Sequence, residues 1–235
     1  MTRNVNVAIV DNSINPSIYT PVAHWSAFLE CRWQAFTARE FQFPNLDDAF
    51  THLILTGSEA SILERERWVD EEVKLTLEAV GRNLPVLGSC WGHQLLVLAL
   101  AGPAYLQRSE SPEIGWIPVA ITEDNTLMGK KGLEYVFSSH FDEVVDLGDE
   151  FRVFASSEKC RVHAFQWGES PVWGIQSHPE MSIPDAQRYL RENVESKKKS
   201  FSHYRRALDS IPRDTGIIHA VIQNFLGHGE SGSRF

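Results

Sequence analysis

The chain has 235 residues, 43% of them hydrophobic and 23% charged, with 15 glycines and 11 prolines. This is ordinary globular composition with enough length for a real core, and it excludes a disordered, collagen-like or coiled-coil chain. Twenty-two basic against 31 acidic side chains leave a net charge of −9, so there is no overall pull towards nucleic acid or an anionic membrane.

Val5 to Val10 reads as a strand that runs into the turn Asp11-Asn12-Ser13. His52 to Thr56, stopped by Gly57-Ser58, and Pro85 to Leu87, before Gly88-Ser89-Cys90, repeat the pattern. Apolar runs without alternation, bounded by turn residues, fit strands buried on both faces. Between them, Glu64 to Val80 carries a helical apolar stripe, and Trp91 to Ala101 is a buried helix stopped by Gly102-Pro103. Alternating strands and helices predict a parallel sheet with helices on both faces. From Tyr105 to Gln176 the texture changes. Trp116–Ile121, Arg152–Ala155, Arg161–Trp167 and Val172–Gln176 have hairpin spacing and predict an antiparallel extension. Pro184–Val194 and Ile217–Leu226 are helical again, and the tail from Gly227 is expected to fray. Lys197, Lys198 and Lys199, with Arg205 and Arg206, form the one basic cluster and read as a solvated helix face. The whole is expected to be a single domain over residues 1–235, with a core at about 5–194 and a helical extension at 195–226.

Three cysteines, Cys31, Cys90 and Cys160, are too few and too scattered for a disulfide framework or a zinc site. The longest aliphatic run, Leu95 to Ala101, is far short of the ~20 residues of a membrane-spanning helix. The first residues lack a signal-peptide core, so a cytoplasmic location is expected.

The sharpest feature is Gly88-Ser89-Cys90-Trp91-Gly92-His93-Gln94. A nucleophile on a tight strand-to-helix turn is crowded two residues to either side, which is why glycines belong at 88 and 92. At the helix N-terminus the backbone N–H groups favour thiolate over thiol, and the N–H of Trp91 is placed to bind an oxyanion. The bland alternative is a buried structural cysteine. A nucleophilic cysteine needs a base and an orienting group. His178 stands at a strand end in Ser177-His178-Pro179-Glu180, with Glu180 near enough to meet the imidazole. His93 is the rival base, three residues after Cys90. His140 and Asp142 suggest a metal pair, but no third ligand has a recognisable spacing; a polar loop or a substrate-lining loop are the other readings.

With these blocks in order, the chain resembles the class I (triad) glutamine amidotransferase family from Val5 to about Val194. It is most similar to stand-alone domains like the amidotransferase part of GMP synthase. Leu53–Gly57, Glu113-Ile114-Gly115-Trp116, Ser139-His140-Phe141-Asp142 and Val172-Trp173-Gly174-Ile175-Gln176 carry the resemblance further. It implies an α/β, flavodoxin-like, mostly parallel sheet flanked by helices, with an added antiparallel portion. It implies Cys90 as nucleophile, His178 as general base and acid, and Glu180 as its orienting carboxylate. Gly57 and Trp91 match the oxyanion hole, Gln94 a substrate contact, and Ser139 with His140 a loop lining the substrate's amino-acid end. The implied reaction forms a glutamyl thioester, releases ammonia and hydrolyses to glutamate, with no metal and no cofactor.

Two departures stand out. Relatives often carry a second glycine where this chain has Ser58, followed by Glu59. The roughly forty residues after Val194 cannot hold a synthetase domain. Three readings therefore stay open: a glutaminase feeding a separate synthetase subunit, a free-standing hydrolase of γ-glutamyl peptides, and a regulatory subunit gated by a partner. The ligand is L-glutamine or a γ-glutamyl compound, with neither nucleic acid nor membrane as partner.

Overall fold

The computed structural model describes residues 5–196 and 201–228. Nine strands form one sheet: β1 (Asn6–Asp11), β2 (Arg32–Thr37), β3 (His52–Leu55), β4 (Val86–Ser89), β5 (Leu106–Ile121), β6 (Gly132–Val144), β7 (Phe151–Ser156), β8 (Ala164–Trp167) and β9 (Val172–Ile175). Their order across the sheet is β2-β1-β3-β4-β9-β8-β7-β5-β6. The first five in that order are parallel, and every pairing from β9–β8 onward is antiparallel. The expected mostly parallel α/β sheet with an antiparallel extension is what the chain forms. The inner strands β3, β4 and β9 are buried along their whole length, which is why they read as unbroken apolar runs.

Among the described residues, six helices flank the sheet: α1 (Pro21–Ser26), α2 (Val69–Gly81), α3 (Trp91–Leu100), α4 (Ile183–Glu195), α5 (Phe201–Leu208) and α6 (Ile218–Gly227). Side chains of α2 and α3 (Val69, Leu75, Leu95, Leu96) pack with Leu53, Leu55 and Val86 into one core. Trp25 of α1 and Ile218, Val221 and Phe225 of α6 pack with Ile9, Ile54 and Trp173 into a second. A third core, over the antiparallel end, joins α4 and α5 to Tyr19 and Phe137. The segment 201–228 is thus built into two of the cores.

Several expectations need correction. The helix predicted from Glu64 starts at Val69, because a 3-10 turn at Ile62–Glu64 ends on Arg65 with φ +53°, which breaks helical continuity. Strand β2 was not legible: it is a sheet edge whose first four residues are exposed, so it carries no apolar run. Strand β6 was not legible either. It holds Ser138, Ser139, His140 and Asp142, which form no loop but pair across to β5, with Glu113 opposite His140 and Ile114 opposite Ser139. Arg205 and Arg206 are exposed on α5, as a solvated face requires. Lys197, Lys198, Lys199 and the tail beyond 228 lie outside the described residues.

Candidate active site

Because β1, β3, β4 and β9 run parallel, the segments that follow them all emerge at one edge of the sheet. That edge brings together Asn12 to Thr20, Gly57, Cys90 and His178, which are far apart in sequence. Register fixes the match: Leu55 pairs with Gly88, and Ser89 with Ile175. The N–H of Cys90 donates to Ile175 O at 2.8 Å, so the cysteine leaves the sheet from a central strand.

Cys90 has φ +50° and ψ −102°, a strained conformation at the cap of α3, and its side chain is buried. The flanking glycines are required by contact. A Cβ on Gly88 would lie 2.4 Å from Gly92 O, and one on Gly92 would lie 2.2 Å from Leu55 O. The turn therefore closes only with glycine at both positions, and it aims Cys90 outward while presenting the free N–H groups of the first helical turn. The Cys90 Sγ lies 3.8 Å from Ser139 O.

His178 is buried, and its N–H donates to Phe137 O at 2.8 Å. Its Nδ1 is 2.8 Å from Glu180 Oε1, which fixes the tautomer and leaves Nε2 for the Cys90 side chain it also contacts. Burial opposes charge on this ring, but Cys90 and Glu180 on either side outweigh burial and raise its pKa to about 10. A cysteine, a base within reach and a carboxylate behind the base make an activated nucleophile. His93, the rival, points elsewhere. Its ring packs against Phe165 and over Gly174, where a Cβ would lie 2.6 Å from Nδ1, and burial lowers its pKa to about 3.

The turn after β3 closes on the same point. A Cβ on Gly57 would sit 2.7 Å from His178 Cε1 and 2.9 Å from the Tyr19 hydroxyl. Behind it, Asn12 Nδ2 donates to Thr56 O at 3.1 Å and to Glu72 Oε1 at 3.0 Å, bracing the ends of β1 and β3. Glu59 accepts from the backbone N–H groups of Ile14 (3.0 Å) and Asn15 (3.2 Å). It ties the turn at 57–59 to the segment that carries Tyr19.

A cavity of about 270 Å³ opens beside Cys90, lined also by Trp91, Gln94, Arg108, Ser139, Asp142 and Tyr189, with Glu59, Glu64 and Glu66 on its acidic side. Asp142 is held by Arg108 at 2.9 Å and by the Ser61 hydroxyl at 2.5 Å. Gln94 lines this cavity, but its Nε2 is already engaged, with Asp142 O at 2.8 Å and Gln176 Oε1 at 3.2 Å. The expected pair Ser139 and His140 both border this cavity. Ser139 meets Tyr189 OH at 3.2 Å, and the His140 ring lies 3.2 Å from Glu113. A second, smaller cavity of about 10 Å³ lies against His178, walled by Tyr19, Phe137, Met181 and Tyr189.

The sequence model of the class-I glutamine amidotransferases matches residues 8–196. The chain belongs to the class-I glutamine amidotransferase family. Among curated relatives, a glutamine-hydrolyzing GMP synthase subunit of Methanococcus vannielii is 40% identical over 116 residues, 49% of this chain and 60% of that one. Its counterpart in Pyrococcus abyssi is 38% identical over 103 residues, 43% of this chain and 53% of the relative. The matched region thus spans little more than half the length of these relatives. A glutamine amidotransferase from Thermotoga maritima has the same fold, with a TM-score of 0.73 at 19% identity, covering 96% of this chain and 99% of that one.

Within this site, sequence reasoning missed Tyr19. Its hydroxyl donates to Glu180 Oε1 at 3.0 Å and lies 3.2 Å from His178 Nδ1, and its ring stands edge-on to the imidazole. Burial, reinforced by the charges of Glu180 and Cys90, holds the phenol well above its usual pKa, so it remains a donor. The available signal was position: Tyr19 follows a parallel strand, at the edge where such sheets build sites. Arg108 gave no signal, since only the β5–β6 pairing carries it to Asp142, its opposite number.

Proposed function

We propose that the chain hydrolyses the side-chain amide of L-glutamine through a thioester on Cys90 and delivers the ammonia to a separate synthetase subunit. The observation that supports this most is the alignment of Cys90, His178 and Glu180 at the C-terminal edge of β4 and β9 in a chain of this family. The Cys90 sulfur attacks the γ-carbonyl carbon, and the carbonyl oxygen gains charge facing the N–H groups of Trp91 and Gly57. His178 passes its Nε2 proton to the departing nitrogen, the C–N bond breaks and ammonia leaves. A water, deprotonated by the same nitrogen, then attacks the thioester and releases glutamate with the thiol regenerated. Glu180 stabilises the imidazolium throughout. In the larger cavity, Arg108 suits the α-carboxylate of an amino acid, and the acids around it suit the α-ammonium group.

The second cavity supports ammonia as the leaving group. Between His178 and the walls of Phe137, Met181 and Tyr189 there is room for about one water-sized molecule, the size of ammonia. A separate acceptor is supported by the curated relatives, which are named as one subunit of a synthase. The test is glutamate release by the purified chain from L-glutamine and, in parallel, from a γ-glutamyl dipeptide, with Cys90→Ala as blank. Turnover of glutamine well above the dipeptide is expected. Faster turnover of the dipeptide would replace this reading with a γ-glutamyl hydrolase. No turnover of either would replace it with a subunit gated by its partner.

A further inference from the structure

At β6, next to the Cys90 cavity that His140 also borders, four side chains of metal-binding type are buried together. Glu113 comes from β5, His140 from β6, Cys160 from the segment between β7 and β8, and His163 from the residue before β8. The ligand atoms of Glu113, His140 and Cys160 all lie within 4.8 Å of one another. His163 Nε2 is 3.3 Å from the same Glu113 oxygen that His140 faces, and neither of its ring nitrogens makes a well-aligned hydrogen bond among the described residues.

His140 Nδ1 lies 3.0 Å from Asp142 O. Its Nε2 lies 3.2 Å from Glu113 Oε2, within the cluster. A backbone carbonyl behind the distal nitrogen is the usual support of a metal-bound imidazole. The other Glu113 oxygen is fixed by Ser157, whose hydroxyl donates at 2.7 Å and itself accepts from the Cys160 N–H at 2.9 Å.

We propose that Glu113, His140 and Cys160, with His163 beside Glu113, form a buried site for a thiophilic divalent cation of the zinc class. One carboxylate oxygen, one imidazole nitrogen and one thiolate sulfur are donors that zinc accepts in tetrahedral geometry, with a fourth position left open. On binding, Cys160 gives its proton to solvent, and the dication is neutralised by one carboxylate and one thiolate, which removes net charge from the core. The site ties β5, β6 and the entry to β8 together at the strand that presents Ser139 to Cys90. Spacing in the sequence concealed it, because Glu113, His140 and Cys160 come from three different elements.

The test is zinc content by elemental mass spectrometry of full-length protein purified without chelator. It is paired with absorption spectra as cobalt(II) is added to the metal-stripped chain. Equimolar zinc is expected, with tetrahedral cobalt bands and a sulfur-to-cobalt charge-transfer band. Cys160→Ala, checked for folding by circular dichroism, should lose that band, and Cys90→Ala should keep it. Folded wild-type protein without zinc and without the cobalt spectrum would overturn the proposal. So would a Cys160→Ala protein that keeps both.

Discussion

At Tyr19 a single hydroxyl touches both the orienting carboxylate and the ring it orients, so its loss should be felt in chemistry more than in binding. A hydrogen bond to a charged acceptor contributes about 1.5–3 kcal/mol, and Tyr19→Phe should lower kcat by roughly tenfold or more with KM little changed. A raised KM at unchanged kcat would instead place Tyr19 in substrate binding; steady-state kinetics on glutamine separates the two. At Gly57 a methyl group has no room beside His178 and Tyr19, and it would displace a backbone N–H assigned to the oxyanion. Gly57→Ala should cost about a hundredfold in kcat while circular dichroism stays unchanged. Glu72 gives a pH signature of its own. Burial pushes its carboxyl up to about 8, against the opposing hydrogen bond from Asn12. An unfolded glutamic acid titrates near ~4.3. Between that pH and about 8 the unfolded chain loses a proton that the folded chain keeps, so stability falls as pH rises through this window. Glu72→Gln should remove that slope and stabilise the protein by about 3 kcal/mol at neutral pH, as read from urea unfolding at pH 5 and pH 8.

Among the elements, α6 decides whether the C-terminal segment is part of the folding unit. Phe225 is fully buried and meets the rings of His52 and Trp173, at 5.0 and 6.4 Å between centroids. Phe225→Ala should destabilise the whole chain by about 3–5 kcal/mol in one cooperative transition. A separate low-stability transition in denaturant would instead make 201–228 an appendage. Elements that bury apolar side chains on both faces, such as β3, β4, β9 and α3, were legible because apolar runs and turn residues mark them directly. Elements that carry chemistry were not. Strand β6 lines the cavity with Ser139, His140 and Asp142 and holds His140 against a buried carboxylate, so its polar residues mimic a loop. The elbow at Cys90 was readable because its glycines are a steric necessity. His178 and Glu180 were readable because they are two residues apart in sequence. Tyr19 and Arg108 were not, since only strand pairing and the parallel edge bring them in.

At the scale of the molecule, five parallel strands place four loops at one edge, and the antiparallel extension curls β6 over the same edge as a wall of the cavity. Among the described residues no helix is long and apolar enough to cross a membrane. The account turns on a covalent bond at Cys90, and the most direct measurement is mass spectrometry of the chain quenched in acid during turnover of L-glutamine. The account predicts a fraction of protein heavier by one glutamyl group, with the added mass on the peptide that contains Cys90 and lost in Cys90→Ala. Glutamate accumulating at the wild-type rate from Cys90→Ala, with no adduct on this peptide in either protein, would contradict it.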